Sequence, residues 1–302
     1  MAATNHPRAE TPAAAVATQD RAAQRHGHWN RRAGLALAFL VVLVGAAVFV
    51  APVWWMVATS LKTTQEVFQS PPVWWPSQPQ WGNYAAALSV FPFLEYAANT
   101  LRIAVPVTLG TTISSAVVAY GFARLRWRGR EGVFTLVLAT LMIPTWVTLV
   151  PLYILFSHVG WVDTYKPLVV PSFFGDPFSI FLLRQFFLRQ PQDLVDAARV
   201  DGASHLRVFL QIILPLAKPA LAVVALFAFI NAYTDFFNPL VYLSNPDKYT
   251  LQLGLFSFFA QHFVNWPGFM AATVVVIAPI AVLFFVAQRT FVEGITFTGL
   301  RG

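Results

Sequence analysis

Five polar side chains lie within one otherwise apolar run, where they could hydrogen-bond a polar solute. They are Asn231, Tyr233, Thr234, Asp235 and Asn238. Polar groups are costly in lipid, so those inside a membrane span usually face a cavity or another helix. The spacing of Asn231, Thr234/Asp235 and Asn238 places them on one face of a helix. The pattern predicts either a polar wall of a permeation path or hydrogen bonds between helices.

The sequence shows no set of residues that could carry out covalent catalysis. It contains no cysteine, which excludes disulfides, zinc–thiolate sites and a cysteine nucleophile. It also lacks a G-x-x-x-x-G-K-[ST] phosphate-binding loop and a G-x-S-x-G nucleophile elbow. We therefore predict that the chain is not an enzyme and binds no cofactor. Active transport would have to draw its energy from an ion gradient or from a separate ATPase chain.

The polar stretch over residues 191–215 separates two very apolar ones and begins with a predicted helix. Pro191 suits a first helical turn, and Asp193 places negative charge where the helix dipole favours it. Gly202 can take the left-handed conformation that ends a helix.

A second short helix is predicted after the glycine. Ser204 can cap its start. One apolar stripe follows at helical spacing and consists of Leu206, Phe209, Leu210 and Ile213. Because proline stops helices, we expect this helix to end at Pro215. The stripe must be buried against another surface.

The elements that position these residues are predicted to be membrane helices. The chain has 302 residues, of which 57% are hydrophobic and only 11% charged, whereas soluble domains have about 25% charged residues. Several apolar runs reach the length of about 20 residues that spans a bilayer. We predict an all-α polytopic membrane protein, with six spans near residues 33–58, 100–122, 133–156, 167–187, 217–243 and 268–292.

The basic residues predict the orientation of these spans. Residues 1–32 are polar without periodicity and are predicted to be a disordered tail, and residues 293–302 form a second tail. Of the 20 Lys and Arg residues, 16 fall on the side that holds both termini and residues 191–215. The positive-inside rule places that side in the cytoplasm. The same rule explains the net charge of +7 without a nucleic-acid partner.

The segment DAARVDGASHLRVFLQIILP, residues 196–215, resembles the signature cytoplasmic loop of ABC-importer permeases. That pattern is E-A-A-x-x-x-G, nine residues, and then I-x-L-P. Here Gly202 supplies the glycine, nine residues follow, and Pro215 ends the motif. Asp196 stands in place of the usual glutamate, which keeps the charge and shortens its reach.

Further segments resemble the maltose-type, carbohydrate-importing group of these permeases. They are SLKTTQEVFQSPPVWWP (60–76), PFSIFLLRQFF (177–187), DKYTLQLGL (247–255), WPG (266–268) and FVEGITFTGLRG (291–302). One departure is that Tyr233 and Thr234 precede Asp235, where the group usually has Trp-Asn.

The resemblance implies the permease subunit of an ATP-driven importer for a sugar or oligosaccharide in a prokaryotic inner membrane. Its partners would be a second permease, an extracytoplasmic solute-binding protein and two copies of a cytoplasmic ATPase that binds ATP and Mg²⁺. The ATPase-coupling residues would be Asp196, Ala197, Ala198, Arg199, Asp201, Gly202, Leu206, Phe209, Leu210 and Pro215. The C-terminal tail would reach the ATPase dimer, and residues 244–268 the solute-binding protein.

Two other interpretations remain open from the residues alone. A secondary carrier powered by an ion gradient would use Asp235 but would give residues 191–215 no role. A membrane-embedded enzyme would need a catalytic set that the sequence does not offer.

Overall fold

The computed structural model describes residues 12–260 and 264–296, with side chains at residues 34–260 and 264–288. Every regular element in these ranges is helical, so the all-α prediction is confirmed. In chain order the α-helices are α1 (Pro12–Ser60), α2 (Thr64–Val67), α3 (Gly82–Leu88), α4 (Phe93–Arg124), α5 (Arg130–Ala139), α6 (Thr145–His158), α7 (Lys166–Val169), α8 (Pro177–Arg189), α9 (Gln192–Val200), α10 (His205–Val208), α11 (Leu214–Leu216), α12 (Lys218–Thr234), α13 (Phe237–Tyr242), α14 (Leu251–Phe256) and α15 (Trp266–Thr296).

The chain forms two compact units, Met1–Ala58 and Thr59–Gly302. In the first unit, α1 begins at Pro12, inside the segment predicted to be disordered. That prediction is corrected for residues 12–32, where many alanines, the strongest helix formers, favour helix. Residues 1–11 lie outside the described part of the chain.

The described residues contain three helices long and apolar enough to cross a membrane. They are Gly34–Ser60 within α1, Phe93–Arg124 and Trp266–Gln288 within α15. Two bent pairs also qualify, namely Arg130–Met142 with Thr145–His158, at 96°, and His205–Leu216 with Lys218–Thr234, at 79°. Counting each pair as one span gives up to five, so the polytopic helical fold is confirmed but the count of six is not.

The predicted third span, residues 133–156, is not one helix. α5 continues as a 3₁₀ turn over Thr140–Met142, and α6 begins only at Thr145. Between them Ile143 is extended, with φ −81° and ψ 113°. Pro144 has no N–H to donate and forces the preceding residue out of the helical region, so the helix breaks there.

The predicted fourth span, residues 167–187, is divided as well. After α7 a 3₁₀ helix covers Val170–Phe174, and α8 starts at Pro177. Gly175 separates the two with φ 91°, a conformation that side-chain-bearing residues rarely adopt.

The second unit has two apolar cores, and α4 contributes to both. The core we call the loop core consists of Ala116, Ala119, Tyr120, Phe122, Ala123, Phe134, Ile180, Leu183, Phe187, Val195, Val208, Phe209, Ile213, Ala217, Ala220 and Val224. The aromatic core consists of Ala87, Phe91, Tyr96, Ala104, Tyr233, Leu251, Leu255, Phe258, Ala271, Ala272 and Val276. α4 and α12 therefore run from one core to the other.

An ion pair joins the loop after α6 to the segment before α14. Lys248 Nζ lies 2.7 Å from Asp163 Oδ2, and the Ser244 and Asn245 N–H groups each donate to Asp163 Oδ1 at 3.0 Å. The Lys248 hydrogen bond and these two N–H groups lower the pKa of Asp163 to about 2. The carboxylate is therefore charged at any physiological pH and fixes the two segments together.

The C-terminal helix is longer than the predicted sixth span, residues 268–292. α15 begins at Trp266 and ends at Thr296, so the predicted tail, residues 293–302, starts inside a helix. Residues 297–302 of that tail, and residues 261–263 before α15, lie outside the described residues.

Candidate functional site

The first part of the 191–215 loop folds as the sequence predicts. Pro191 occupies the N-cap position of α9, and Asp193 lies in the first turn of this helix. Gly202 has φ 82°, the left-handed conformation. The Ser204 hydroxyl accepts a hydrogen bond from the Arg207 N–H at 3.3 Å and so caps α10. The helix–glycine–helix geometry is confirmed.

The predicted apolar stripe of the second helix is wrong. Phe209 and Ile213 are buried, but Leu206 and Leu210 are 66% and 51% exposed. The cause is a π-helical turn over Phe209–Ile213. Its i→i+5 hydrogen bonds widen the turn, and Val208, fully buried, joins Ile213 on the inner side. A prediction that assumes α-helical spacing therefore places Leu206 and Leu210 on the same face as Phe209 and Ile213, although the two leucines are exposed.

Pro215 does not end the second helix. The helical path continues through α11 to Leu216, and the bend of 79° comes before Lys218. Pro215 lies inside this continuous path, where its missing N–H leaves out one backbone hydrogen bond.

The remaining loop residues predicted to couple to an ATPase lie mostly at the surface. α9 is wholly described, and Val195 is its one buried residue. Ala198 is half-buried against the loop core, whereas the other four predicted residues are exposed, namely Asp196, Ala197, Arg199 and Asp201. Asp196 Oδ1 accepts a hydrogen bond from Gln192 Nε2 at 3.0 Å. The exposed charges surround the glycine turn.

Two residues that contact the loop were not predicted, and both lie at the end of α4. Arg124 donates to the carbonyls of Phe187 and Gln190 and to the side chain of Gln192. Tyr120 donates to the His205 carbonyl at 3.1 Å. Arg124 belongs to a run of four arginines in the sequence, and nothing in that run distinguishes it from the others.

A cavity of about 380 Å³ lies among α4, α8 and α12. Its polar lining consists of Thr111, Asp176, Ser179, Asn231 and Asp235. Its apolar lining consists of Ile103, Val107, Leu168, Phe178, Phe227, Ala228, Ala232 and Pro239. The mixture of carboxylates, amide, hydroxyls and two phenyl rings suits a polar solute that also has an apolar face.

Of the five polar residues in the predicted fifth span, Asn231, Thr234/Asp235 and Asn238 are predicted to share a helical face, but they do not lie on one helix. α12 ends at Thr234, and Asp235 is extended with ψ 116°. Asp235 Oδ1 accepts from the Asn238 N–H at 3.1 Å, and Oδ2 accepts from Asn238 Nδ2 at 2.8 Å. This local hydrogen bonding competes with the helix and ends it, so the prediction of one continuous helix over residues 217–243 is wrong.

Only two of these five residues line the described cavity, and these are Asn231 and Asp235. Tyr233 is buried in the aromatic core and donates to the Val276 carbonyl at 3.0 Å. Thr234 bonds back to the Ile230 carbonyl at 2.8 Å. The hydrogen bond of Tyr233 to Val276 fits the interpretation of bonding between helices, whereas a polar wall of a permeation path stays a prediction for Asn231 and Asp235.

Asp176 has a structural task in addition to its place in the cavity wall. One carboxylate oxygen, Oδ2, accepts from the Ser179 N–H at 2.8 Å and from the Ser179 hydroxyl at 2.7 Å, which caps α8. The Asp-Pro pair at Asp176 and Pro177 is the sequence signal of such a helix start.

Comparison with known proteins identifies the family. Residues 110–296 match the family described as binding-protein-dependent transport system inner membrane component. The chain is 32% identical to the sulfoquinovosyl glycerol transport system permease protein SmoH of Agrobacterium fabrum, over 83% of this chain and 88% of that protein. It is 30% identical to the galactooligosaccharides transport system permease protein GanQ of Bacillus subtilis, over 89% and 96%. It is 35% identical to the maltodextrin transport system permease protein MdxG of Bacillus subtilis, over 70% and 76%.

Two solved structures have the same fold. One is a bacterial ABC transporter involved in the import of the acidic polysaccharide alginate, with a TM-score of 0.74 at 24% identity over 86% of this chain and 96% of that chain. The other is a bacterial alginate ABC transporter in complex with an alginate pentasaccharide-bound periplasmic protein, with a TM-score of 0.61 at 16% identity, over 86% and 94%. The family match and the sequence relatives together confirm the resemblance, and this chain belongs to the binding-protein-dependent transport system inner membrane components, among the permeases of carbohydrate ABC transporters.

Proposed function

We propose that this chain is a permease subunit of an ATP-driven importer that takes up a sugar or an oligosaccharide. The observation that carries the proposal is the exposed glycine turn at Gly202, in a loop that joins two helices, α8 and α12, which both line the cavity. The permeases it resembles belong to transport systems for sulfoquinovosyl glycerol, galactooligosaccharides and maltodextrin, which supports a carbohydrate substrate.

The energy for transport comes from partner chains in this proposal. Two copies of a cytoplasmic ATPase bind ATP and Mg²⁺ and contact the exposed part of the 191–215 loop. A second permease forms a heterodimer with this chain and completes the path through the inner membrane. An extracytoplasmic solute-binding protein delivers the substrate, and both termini of this chain lie in the cytoplasm, as its distribution of basic residues favours.

The loop can transmit movement because it is exposed on one side and packed into the loop core on the other. Closure of the ATPase dimer displaces the exposed glycine turn. The buried residues Val208, Phe209 and Ile213 carry the displacement into α4, α8 and α12. These helices line the cavity, so the path alternates between inward-facing and outward-facing states whose populations ATP shifts.

The cavity residues offer a sugar the contacts it needs. The Asp235 carboxylate accepts hydrogen bonds from hydroxyl groups, and the Asn231 amide both donates and accepts. The rings of Phe178 and Phe227 offer apolar surface to the C–H face of a pyranose. These contacts are few and weak, as a permeation path requires, because the solute must also dissociate from it.

The decisive experiment is reconstitution of the purified chain in proteoliposomes, with and without its partner permease, ATPase and solute-binding protein. We expect sugar uptake only from the full set and only with ATP. Uptake by this chain alone, driven by an ion gradient and independent of ATP, would establish the secondary-carrier alternative.

The cavity has its own test, the substitution Asp235→Ala. We expect uptake to fall about tenfold or more, since a hydrogen bond to a charged group is worth about 1.5–3 kcal/mol. Assembly of the complex, followed by size-exclusion chromatography, should be unchanged. Thr234→Ala is the matched control, because among the described residues the adjacent Thr234 side chain bonds only to Ile230 of its own helix. Unchanged uptake in Asp235→Ala would make the polar wall purely structural.

A further inference from the structure

We propose that Arg124 and Tyr120 are positioning residues that fasten the two halves of the 191–215 loop to α4, and that α4 carries the loop's movement to the cavity. The inference rests on the proposed function, because it assumes that the loop is displaced by a partner. It adds two side chains of one helix, α4, to the buried apolar residues that transmit the movement.

Arg124 fastens the first half of the loop. Its Nη2 donates to the Gln190 carbonyl at 2.7 Å and to the Phe187 carbonyl, both at the C-terminal end of α8. Its Nη1 donates to the Gln192 side chain in the first turn of α9. A cation is favoured at a helix C-terminus, and the planar guanidinium can hold several acceptors in one fixed geometry. One half-buried side chain thus joins the end of α8 to the start of α9.

Tyr120 fastens the second half of the loop. Its hydroxyl donates to the carbonyl of His205, the first residue of α10, at 3.1 Å. Its ring packs on Phe209 with 4.8 Å between the ring centroids. Because residues four apart lie on the same face of a helix, Tyr120 and Arg124 present one face of α4 to both halves of the loop.

The same helix reaches the cavity without interruption. α4 runs unbroken from Phe93 to Arg124, and Ile103, Val107 and Thr111 line the cavity from it. Thr111 and Tyr120 are nine residues apart, which is about 14 Å along an α-helix. Pro106, the proline inside α4, lies before the segment between Thr111 and Tyr120. A displacement of the loop can therefore move one wall of the cavity as part of a rigid rod.

Neighbouring arginines provide a matched comparison. Arg128 is exposed and lies beyond the end of α4, in the connection to α5. It belongs to the same basic run and has the same charge as Arg124. If positive charge at this position of the chain were all that mattered, substitutions at Arg124 and Arg128 would have the same effect.

The functional test uses the full complex with the conservative variants Arg124→Lys, Tyr120→Phe and Arg128→Lys. Uptake should fall about tenfold in Arg124→Lys, the scale of one charge-assisted hydrogen bond, and about threefold to tenfold in Tyr120→Phe, the scale of a neutral one, while ATP hydrolysis persists. The ratio of sugar imported to ATP hydrolysed therefore drops in these two and stays at the wild-type value in Arg128→Lys. An unchanged ratio in Arg124→Lys, or equal losses in all three variants, would overturn the proposal.

A second measurement does not depend on transport and separates this inference from the proposed function. The chain has no native cysteine, so spin labels can be placed at Val117→Cys on α4 and Val200→Cys on α9, both exposed positions. The distance distribution between them should be narrow in the otherwise unchanged chain and broad when Arg124→Lys or Tyr120→Phe is added. A distribution that stays equally narrow would show that these residues do not hold the loop. Failure of ATP-driven uptake in the wild-type complex would instead refute the proposed function.

Discussion

The two halves of the 191–215 loop differ in what they contact. The half before Gly202 buries a single residue, Val195, and its charged side chains lie at the surface. The half after Gly202 buries Val208, Phe209 and Ile213 in the loop core. The first half is therefore available to a partner, whereas the second half packs into this chain's own core and leaves Leu206 and Leu210 exposed. A loop that transmits force needs both an exposed and an anchored part, and here the anchored part lies after the glycine.

The largest effect on stability is expected from Phe209→Ala, in the buried half. Removing a buried phenyl ring costs about 3–5 kcal/mol, since the packing around it is lost and a cavity is left. The melting temperature of the detergent-purified chain should fall clearly. Leu206→Ala, three residues earlier and 66% exposed, is the control and should melt as the wild type does. Equal destabilisation by both substitutions would contradict the assignment of Phe209 to a buried face and of Leu206 to an exposed one.

The glycine between the halves gives the next largest effect, on coupling. Gly202→Asp places a side chain at φ 82°, which costs about 1–2 kcal/mol of backbone strain. Apart from its two chain neighbours, no described residue lies within 4 Å of a Cβ placed at this position. The cost within this chain is therefore confined to the backbone, and we expect the folded complex to hydrolyse ATP while uptake is lost, because the carboxylate stands against the partner surface.

Gly202→Ala separates strain from contact with the partner. The alanine variant has the same backbone strain but carries a methyl group in place of the carboxylate-bearing side chain. Uptake should therefore be higher than in Gly202→Asp. If the two variants lose uptake equally in the reconstituted assay, the turn geometry matters and the exposed surface at Gly202 does not.

The exposed leucines should affect partner binding and leave stability unchanged. Surface substitutions away from special features usually change stability by less than about 0.5 kcal/mol. We therefore expect the double substitution Leu206→Ser, Leu210→Ser to melt like the wild type but to retain less ATPase during affinity purification. Full retention of the ATPase would mean that only the half before the glycine meets the partner.

The smallest effect is expected from Asp196→Glu. The carboxylate is exposed and held by one hydrogen bond from Gln192, so the change in stability should stay within about 0.5 kcal/mol. The added methylene restores the reach of the residue usual in the motif, and uptake should be equal to or above that of the wild type. Reduced uptake would show that the shorter side chain is matched to its partner.

Local signals in the sequence predicted the local structure well. Gly202 and Ser204 act through their own backbone and their immediate neighbours, so their conformations follow from residue type alone. The motif from Asp196 to Pro215 identified the family for the same reason, since spacing along the chain is visible in the sequence.

Features that depend on contacts between distant segments could not be predicted in this way. The π turn at Phe209–Ile213 accommodates packing against α4 and α8, which no periodicity within the segment reveals. The break at Asp235 results from a side chain that bonds to the backbone three residues later, in a run that is apolar enough to continue as a helix. Arg124 becomes distinct from Arg128 only when α8 and α9 fold against the end of α4.

The π turn also bears on how such a subunit can change partners. Since Leu206 and Leu210 point outward while Val208, Phe209 and Ile213 point inward, the outward set can vary without disturbing the packed one. Evolution can then adjust the recognition surface to a new ATPase by a few surface substitutions. The same separation makes the 191–215 loop a place to engineer orthogonal importers, in which each of two permeases in one cell is driven only by its own ATPase.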